Sequence, residues 1–280
     1  MLYSLLAWCC VVSNYSLCRV SFSTEFPTFH TASQKASAQV ALQGSGATSI
    51  EPLVPTWFTA NGVNYNPVGS GAGRTDFQNG VTDFVASDLT LPNVDGQVAI
   101  NVVNIPVSFP YNVPGFSASL TTPQACGIIS GSITNWSDLG GPDLPITFVF
   151  RSDSSGTTGI LNTFVTNNCG FSVPPFPVGF GASGSDGIIS TVQSTEGAIG
   201  YVDTPAAVQS GVPIASLDTT IEGPNYIVFR GSYGDPQTAA AATSLCQYLT
   251  GPDAATAAAN LGYSVQANDP SVCNAIQSGS

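Results

Sequence analysis

From residue 39 onward the chain alternates short runs rich in β-branched and aromatic residues with runs of helical composition. That alternation predicts an α/β fold with parallel strands, since a helix between two strands returns the chain to the same edge of a sheet. Strands are expected at about 39–43, 63–68, 82–86, 98–103, 146–150, 198–202 and 226–229. Helices are expected where caps and prolines punctuate the pattern: after Ser49 with Glu51 and Pro52 in the first turn, from Thr122-Pro123 to Gly131, from Ser155 to Gly170, and from Asp235-Pro236 through Leu249. The order suggests two lobes, the first discontinuous at 39–104 plus 205–280 and the second at 105–204.

Composition narrows the function classes. Only 8% of residues are charged, against about a quarter in an ordinary globular domain, so small neutral polar groups must make the surface. The cations are Arg19, Lys35, Arg74, Arg151 and Arg230, and the net charge is −12. A chain with no basic run lacks the electrostatic footprint for nucleic acid or for an acidic membrane surface.

Residues 1–12 form an apolar run too short to span a bilayer, which fits the core of an export signal. Residues 1–38 are therefore read as a leader, with Ala36-Ser37-Ala38 the best small-residue cleavage pattern. Downstream stand Cys126, Cys169, Cys246 and Cys273, with no CxxC pair and with His30 the chain's one histidine, so no metal site is expected. In an exported chain two disulfides are the better reading, beside four buried free thiols as the alternative. Of the three possible pairings, Cys126 with Cys169 and Cys246 with Cys273 is favoured because each stays within one segment.

The sharpest local feature is ITFVFRSDSSGTTGILNTFV, residues 146–165. A β-rich run ends at Arg151, small residues follow, and a helix begins at Ser155. Unpaired N–H groups and the positive end of the helix dipole suit such a start to an oxyanion. Ser155 and Thr157 offer hydroxyls, Gly156 permits close approach, Arg151 offers a bidentate fork, and Asp153 can hold that fork in place. Taken alone, the same Ser155 reads equally well as a helix cap. Three more segments share this character: GSGATSI, with Thr48 and Ser49 at a strand–helix junction; VGSGAGR, a Gly-rich loop in which Ser70 can donate; and DFVASD, ending a strand at Asp88. Strand carboxyl ends and helix N-termini face the ligand crevice in open α/β sheets.

These four segments, in this order, resemble the phosphate-binding proteins of bacterial ABC phosphate uptake systems. LTTPQACGIISGSITNWSDL, FGASGSDGIISTVQSTEGAIGYVD and PNYIVFR extend the resemblance to about residues 39–276. The cysteine-bearing segment around Trp136 also resembles the DING-type branch, whose name-giving N-terminal sequence is absent here. The resemblance implies a two-lobed periplasmic-binding-protein-like (type II) α/β fold with the ligand cleft between lobes. It implies phosphate contacts from Thr48, the Ser49 main chain, Ser70, Asp88, Arg151, Ser155, Gly156 and Thr157, with Asp153 supporting. It implies an exported monomer that needs no cofactor and delivers inorganic phosphate to an ABC permease. Members commonly have Phe where this chain has Ser49, and the stretch from Thr48 to Ser70 is shortened.

Asp88 carries the specificity argument: a carboxylate only accepts hydrogen bonds, so it can take the proton that phosphate keeps near neutral pH and fully ionised sulfate lacks. Two other readings remain at this stage. A scavenger would bind phosphate with no permease, and a secreted phosphatase would use the same cradle with Ser155 as nucleophile, although residues 39–280 hold no histidine to act as its base. Arg74 is expected to pair with Asp76 or Asp83, Arg230 is ambiguous, and Trp57 and Trp136 are expected to pack.

Overall fold

A computed structural model describes residues 40–89 and 96–279; the leader assigned to residues 1–38 lies outside them. The first half runs β1 (Gln43–Gly46), α1 (Val54–Trp57), β2 (Asn64–Asn66), α2 (Ser70–Gln78), β3 (Phe84–Ser87), β4 (Gln97–Pro110), β5 (Ser119–Leu120) and α3 (Thr122–Ser130). There follow β6 (Thr147–Arg151), α4 (Gly156–Cys169), β7 (Phe180–Ala182), α5 (Gly184–Ser194), β8 (Ala198–Gly200), β9 (Val202–Asp203) and α6 (Thr204–Ser210). The chain closes with β10 (Ile214–Leu217), β11 (Ile221–Arg230), β12 (Ser232–Tyr233), α7 (Pro236–Leu249), α8 (Pro252–Asn260), β13 (Ser264–Val265) and β14 (Gln277–Ser278).

The expected parallel arrangement holds in two places and fails in a third. β2-β1-β3 and β7-β6-β8 are parallel, as helix-connected strands should be. Between β3 and β10, however, β11 and β4 form a long antiparallel ladder running from Arg230↔Gln97 to Ile221↔Val107. Tertiary pairing across more than a hundred residues is invisible to a local periodicity, which also stopped both strands short. The ladder slips at Asn225/Tyr226, and such a bulge re-aims a side chain.

Helix starts followed the caps. Ser155 accepts the Thr158 N–H at 3.3 Å, Asp235 accepts that of Thr238 at 3.0 Å, and Thr121 forms a capping box with Gln124. After Ala47 the chain forms a 3₁₀ turn, Thr48–Leu53, before the short α1. VGSGAGR is corrected: it is no loop, because Ser70 begins α2. Its glycines are there for closeness. A Cβ on Gly73 would collide with the Gly46 backbone and one on Gly71 with Ser154, so the helix lies directly on β1 despite poor intrinsic propensity.

The core is shared by strands and helices, with Trp57, Trp136, Tyr201, Phe58, Phe84 and Phe229 fully buried. Both tryptophans pack as expected, and each indole N–H reaches a carbonyl, Ala254 at 3.1 Å and Gly197 at 2.9 Å. Arg230 also proves structural: it donates to the Phe77 and Thr82 carbonyls and lies over the Phe77 ring. Arg74 departs from expectation. Asp76 accepts from Ser45 and Asp83 from the Gln43 N–H, and Arg74 makes no ion pair among the described residues.

Both favoured disulfides are present: Cys126–Cys169 ties α3 to α4 and Cys246–Cys273 ties α7 to the turn Pro270–Ala275. Sequence separations of 43 and 27 residues place each constraint at about 3.5–4 kcal/mol on a chain-entropy scale. Replacing Cys246 and Cys273 with Ser should therefore lower the unfolding free energy by about 3 kcal/mol and the melting temperature by roughly 10 °C. Calorimetry checks this; an unchanged melting temperature would contradict it.

Candidate functional site

Every residue expected in the anion cradle lies in one buried cluster built from the carboxyl ends of strands and the beginnings of helices. Thr48, Ser49, Ser70, Asp88, Arg151, Ser155 and Thr157 are all less than one-tenth exposed. Such a density of buried polar groups is tolerated only when they satisfy one another.

Asp88, just beyond β3, is the hub. The Ser49 hydroxyl lies 2.8 Å from each carboxylate oxygen, and the Asn225 amide donates to Oδ1 at 2.6 Å. The Asp88 N–H donates to Ser70 Oγ at 3.2 Å. Burial raises the Asp88 carboxyl above the ordinary range, opposed by the Asn225 and Ser49 hydrogen bonds, the Arg151 charge and the Thr157 hydroxyl.

Facing this hub is the start of α4. A Cβ on Gly156 would lie 2.5 Å from Ser70 Oγ and 2.5 Å from Asp88 Cβ, so only glycine lets the helix tip approach. The Gly71 N–H donates to the Ser154 carbonyl at 2.8 Å and joins α2 to the same tip. Ser155 caps α4 through Thr158, which leaves the Gly156 and Thr157 N–H groups and the dipole pointing into the cluster. The capping and ligand readings of Ser155 thus coexist, because an oxygen that accepts from the backbone still has a hydroxyl proton to donate.

Arg151 is buried at the end of β6 and pairs with Asp153 through Nε and Nη2. Burial works to raise Asp153, but the Arg151 hydrogen bonds and charge and the Gly184 N–H outweigh it and hold the carboxyl below its ordinary value. A fixed ion pair of this kind orients the guanidinium and leaves Nη1 for a ligand. Arg151 and Asp153 contribute no net charge, so much of the attraction for an anion must come from oriented N–H and O–H dipoles.

Several residues that take part in the arrangement escaped the sequence reading. Asn225 reaches Asp88 through the β11 bulge, though its segment, PNYIVFR, was singled out. Tyr201 holds the Arg151 N–H at 3.1 Å and lies 2.6 Å from the Thr158 hydroxyl. Ser185, at the start of α5, lies 3.1 Å from the Thr48 hydroxyl and donates to Asp203 at 2.9 Å. Ser49, expected to act through its main chain, reaches Asp88 with its side chain. The GSDG and GYVD stretches marked the right places but not the partners.

Substituting Gly156 with Ala should leave α4 helical by circular dichroism while forcing its tip away from Asp88 and Ser70. Oxyanion affinity is expected to fall roughly tenfold or more, the usual consequence of overpacking a tight contact; titration calorimetry reads it, and unchanged affinity would contradict the close-approach role.

Comparison with known proteins places this geometry in context. Residues 31–276 match the family model of a PBP superfamily domain. A phosphate-binding protein PstS of Xylella fastidiosa is 32% identical over 217 residues, covering 66% of this chain and 59% of the relative. The PstS2 phosphate-binding protein of Mycobacterium bovis is 33% identical over 194 residues, covering 56% of this chain and 50% of the relative. The chain thus spans less than two thirds of the length of these curated relatives. Among solved structures, a putative phosphate ABC transporter substrate-binding protein from Clostridium perfringens with bound phosphate superposes with a TM-score of 0.71 at 23% identity, over 81% of this chain and 100% of that one. The high affinity periplasmic phosphate-binding protein PfluDING superposes at 0.72 and 18% identity, over 84% and 92%. These likenesses show the two-lobed α/β fold.

Proposed function

The chain belongs to the PBP superfamily, and from that premise we propose that it binds inorganic phosphate between its lobes and delivers it to an ABC-type permease. The phosphate-binding relatives and structural neighbours support the ligand, and the observation that carries the reading is the opposition of Asp88 to Arg151 and the α4 tip. We place the lobes at 39–104 plus 205–280 and at 105–204. The three-stranded sheet β7-β6-β8 falls wholly in the second span.

In this reading Arg151 Nη1, the Gly156 and Thr157 N–H groups and the hydroxyls of Ser70, Ser155 and Thr157 surround the phosphate oxygens, and the Ser49 main chain and Thr48 close the other side. Asp88 accepts the ligand's own proton. Its burial makes the choice sharp, because an ion with no proton would set a charged oxygen against an acceptor with no water to separate them. Asn225 and Ser49 hold the carboxylate in place, so it cannot turn away.

Binding rather than hydrolysis fits the same geometry. Ser155 Oγ is tied to the helix start, and among the described residues no side chain is hydrogen-bonded to it as a base. We read the protein as exported and monomeric; no described helix is long and apolar enough to cross a membrane.

The deciding experiment is titration with phosphate and with sulfate, repeated for Asp88→Asn. The unmodified chain should bind phosphate at least a hundredfold more tightly than sulfate. Asn adds a donor in place of an acceptor, so phosphate affinity should fall tenfold or more and sulfate affinity should rise. A chain that binds neither ion, or both equally, refutes the proposal.

A further inference from the structure

Behind Thr48 runs a chain of three hydrogen-bonding groups that the phosphate cradle leaves unexplained. The Thr48 hydroxyl lies 3.1 Å from Ser185 Oγ, either atom being able to donate, and Ser185 lies 2.9 Å from Asp203 Oδ2. Asp203 Oδ1 accepts the Ala206 N–H at 3.0 Å as the cap of α6. Ser185 and Asp203 are 1% and 0% exposed, so their hydrogen bonds are made within the protein.

A hydroxyl has one proton, and this fixes the direction of the whole chain. When Asp203 is ionised it can only accept. Ser185 must then donate to Asp203, Thr48 donates to Ser185, and the Thr48 oxygen is left with only lone pairs for a ligand. When Asp203 holds a proton on Oδ2 it donates to Ser185, Ser185 donates to Thr48, and the Thr48 proton is free to face an anion.

We propose that Asp203 is a positioning residue that takes up a proton from solvent when phosphate binds, turning Thr48 through Ser185 from an acceptor into a donor toward the ligand. This rests on the phosphate reading given above. Protons balance: one is gained at Asp203 Oδ2, and the Ser185 and Thr48 hydroxyls reorient without net transfer.

The surroundings favour this. Burial pushes the Asp203 carboxyl up to about 7, against the Ala206 and Ser185 hydrogen bonds and with help from the Asp88 charge. The other titratable groups on the elements packed around it are Tyr263, whose hydroxyl Asp203 raises further, Tyr201, Asp186 on α5, Glu51 on the turn after Thr48, and the Arg151–Asp153 pair, whose Asp153 accepts the Gly184 N–H beside Ser185. The one cation among them, Arg151, is held by Asp153. An incoming phosphate adds negative charge and so favours protonation further. A cavity of about 220 Å³ lined by Thr48, Glu51, Ser185 and Asp186 gives solvent a route to the chain.

The test compares phosphate affinity of the unmodified chain, Asp203→Asn and Ser185→Ala from pH 5 to 8.5, in buffers of different ionisation enthalpy. Asn keeps the α6 cap through Oδ1 and donates permanently to Ser185, while Ala frees the Thr48 hydroxyl to donate at every pH. Titration of phosphate itself is common to all three and cancels in the ratios. Both variants should match the unmodified chain at pH 5 and bind on the order of tenfold more tightly at pH 8.5. The unmodified chain should show an extra proton taken up on binding that Asp203→Asn lacks. Affinity ratios constant with pH, or equal proton uptake in all three proteins, overturn the relay while leaving phosphate binding intact. If the unmodified chain binds no phosphate, the reading beneath it falls as well.

Discussion

A carboxylate sealed inside a protein must be surrounded by donors, and the arrangement of this site follows from that requirement at Asp88. Its support comes from three places far apart in the chain: hydrogen bonds from Ser49 in the first helical turn and Asn225 at a bulge in β11, and the charge of Arg151 at the end of β6. Bringing them together fixes the long β4–β11 ladder against β3 and sets the α4 tip opposite. In the proposed phosphate reading, the same carboxylate that costs free energy to bury is the group that recognises the ligand's proton.

The low charge of the chain has a structural counterpart. One buried arginine serves the cradle, and Asp153 pairs with it. What remains to attract an anion is a set of oriented N–H and O–H dipoles held in a dry environment, where they act more strongly than at a surface. Glycines make that density possible. Gly156 lets α4 meet Asp88 and Ser70, and Gly71 and Gly73 let α2 lie on Ser154 and β1. In each case the absence of a side chain lets a helix lie closer to its neighbour.

Support outside the cradle follows the same economy of charge. The two disulfides tie helices to their neighbours on either side of the fold, and aromatic packing such as Phe148, Phe176 and Tyr201 braces the strand that presents Arg151. Tyr201 is both core and scaffold: its ring is buried and its hydroxyl holds the Arg151 backbone.

What the sequence by itself determined was local. The caps at Ser155 and Asp235, the strands ending at Arg151 and Asp88 and the junction at Thr48 and Ser49 were legible, because each depends on hydrogen bonds or turns spanning a few residues. The glycine-rich α2 was misread as a loop because its helicity comes from lying on β1, and the antiparallel ladder was missed because its partners are remote. Only the tertiary structure decided that Asn225 meets Asp88 and that Ser185 meets Thr48, each pair 137 residues apart. Nothing in the local pattern of either partner encodes the other; a shared buried space, which favours polar groups that can bond one another, selects them.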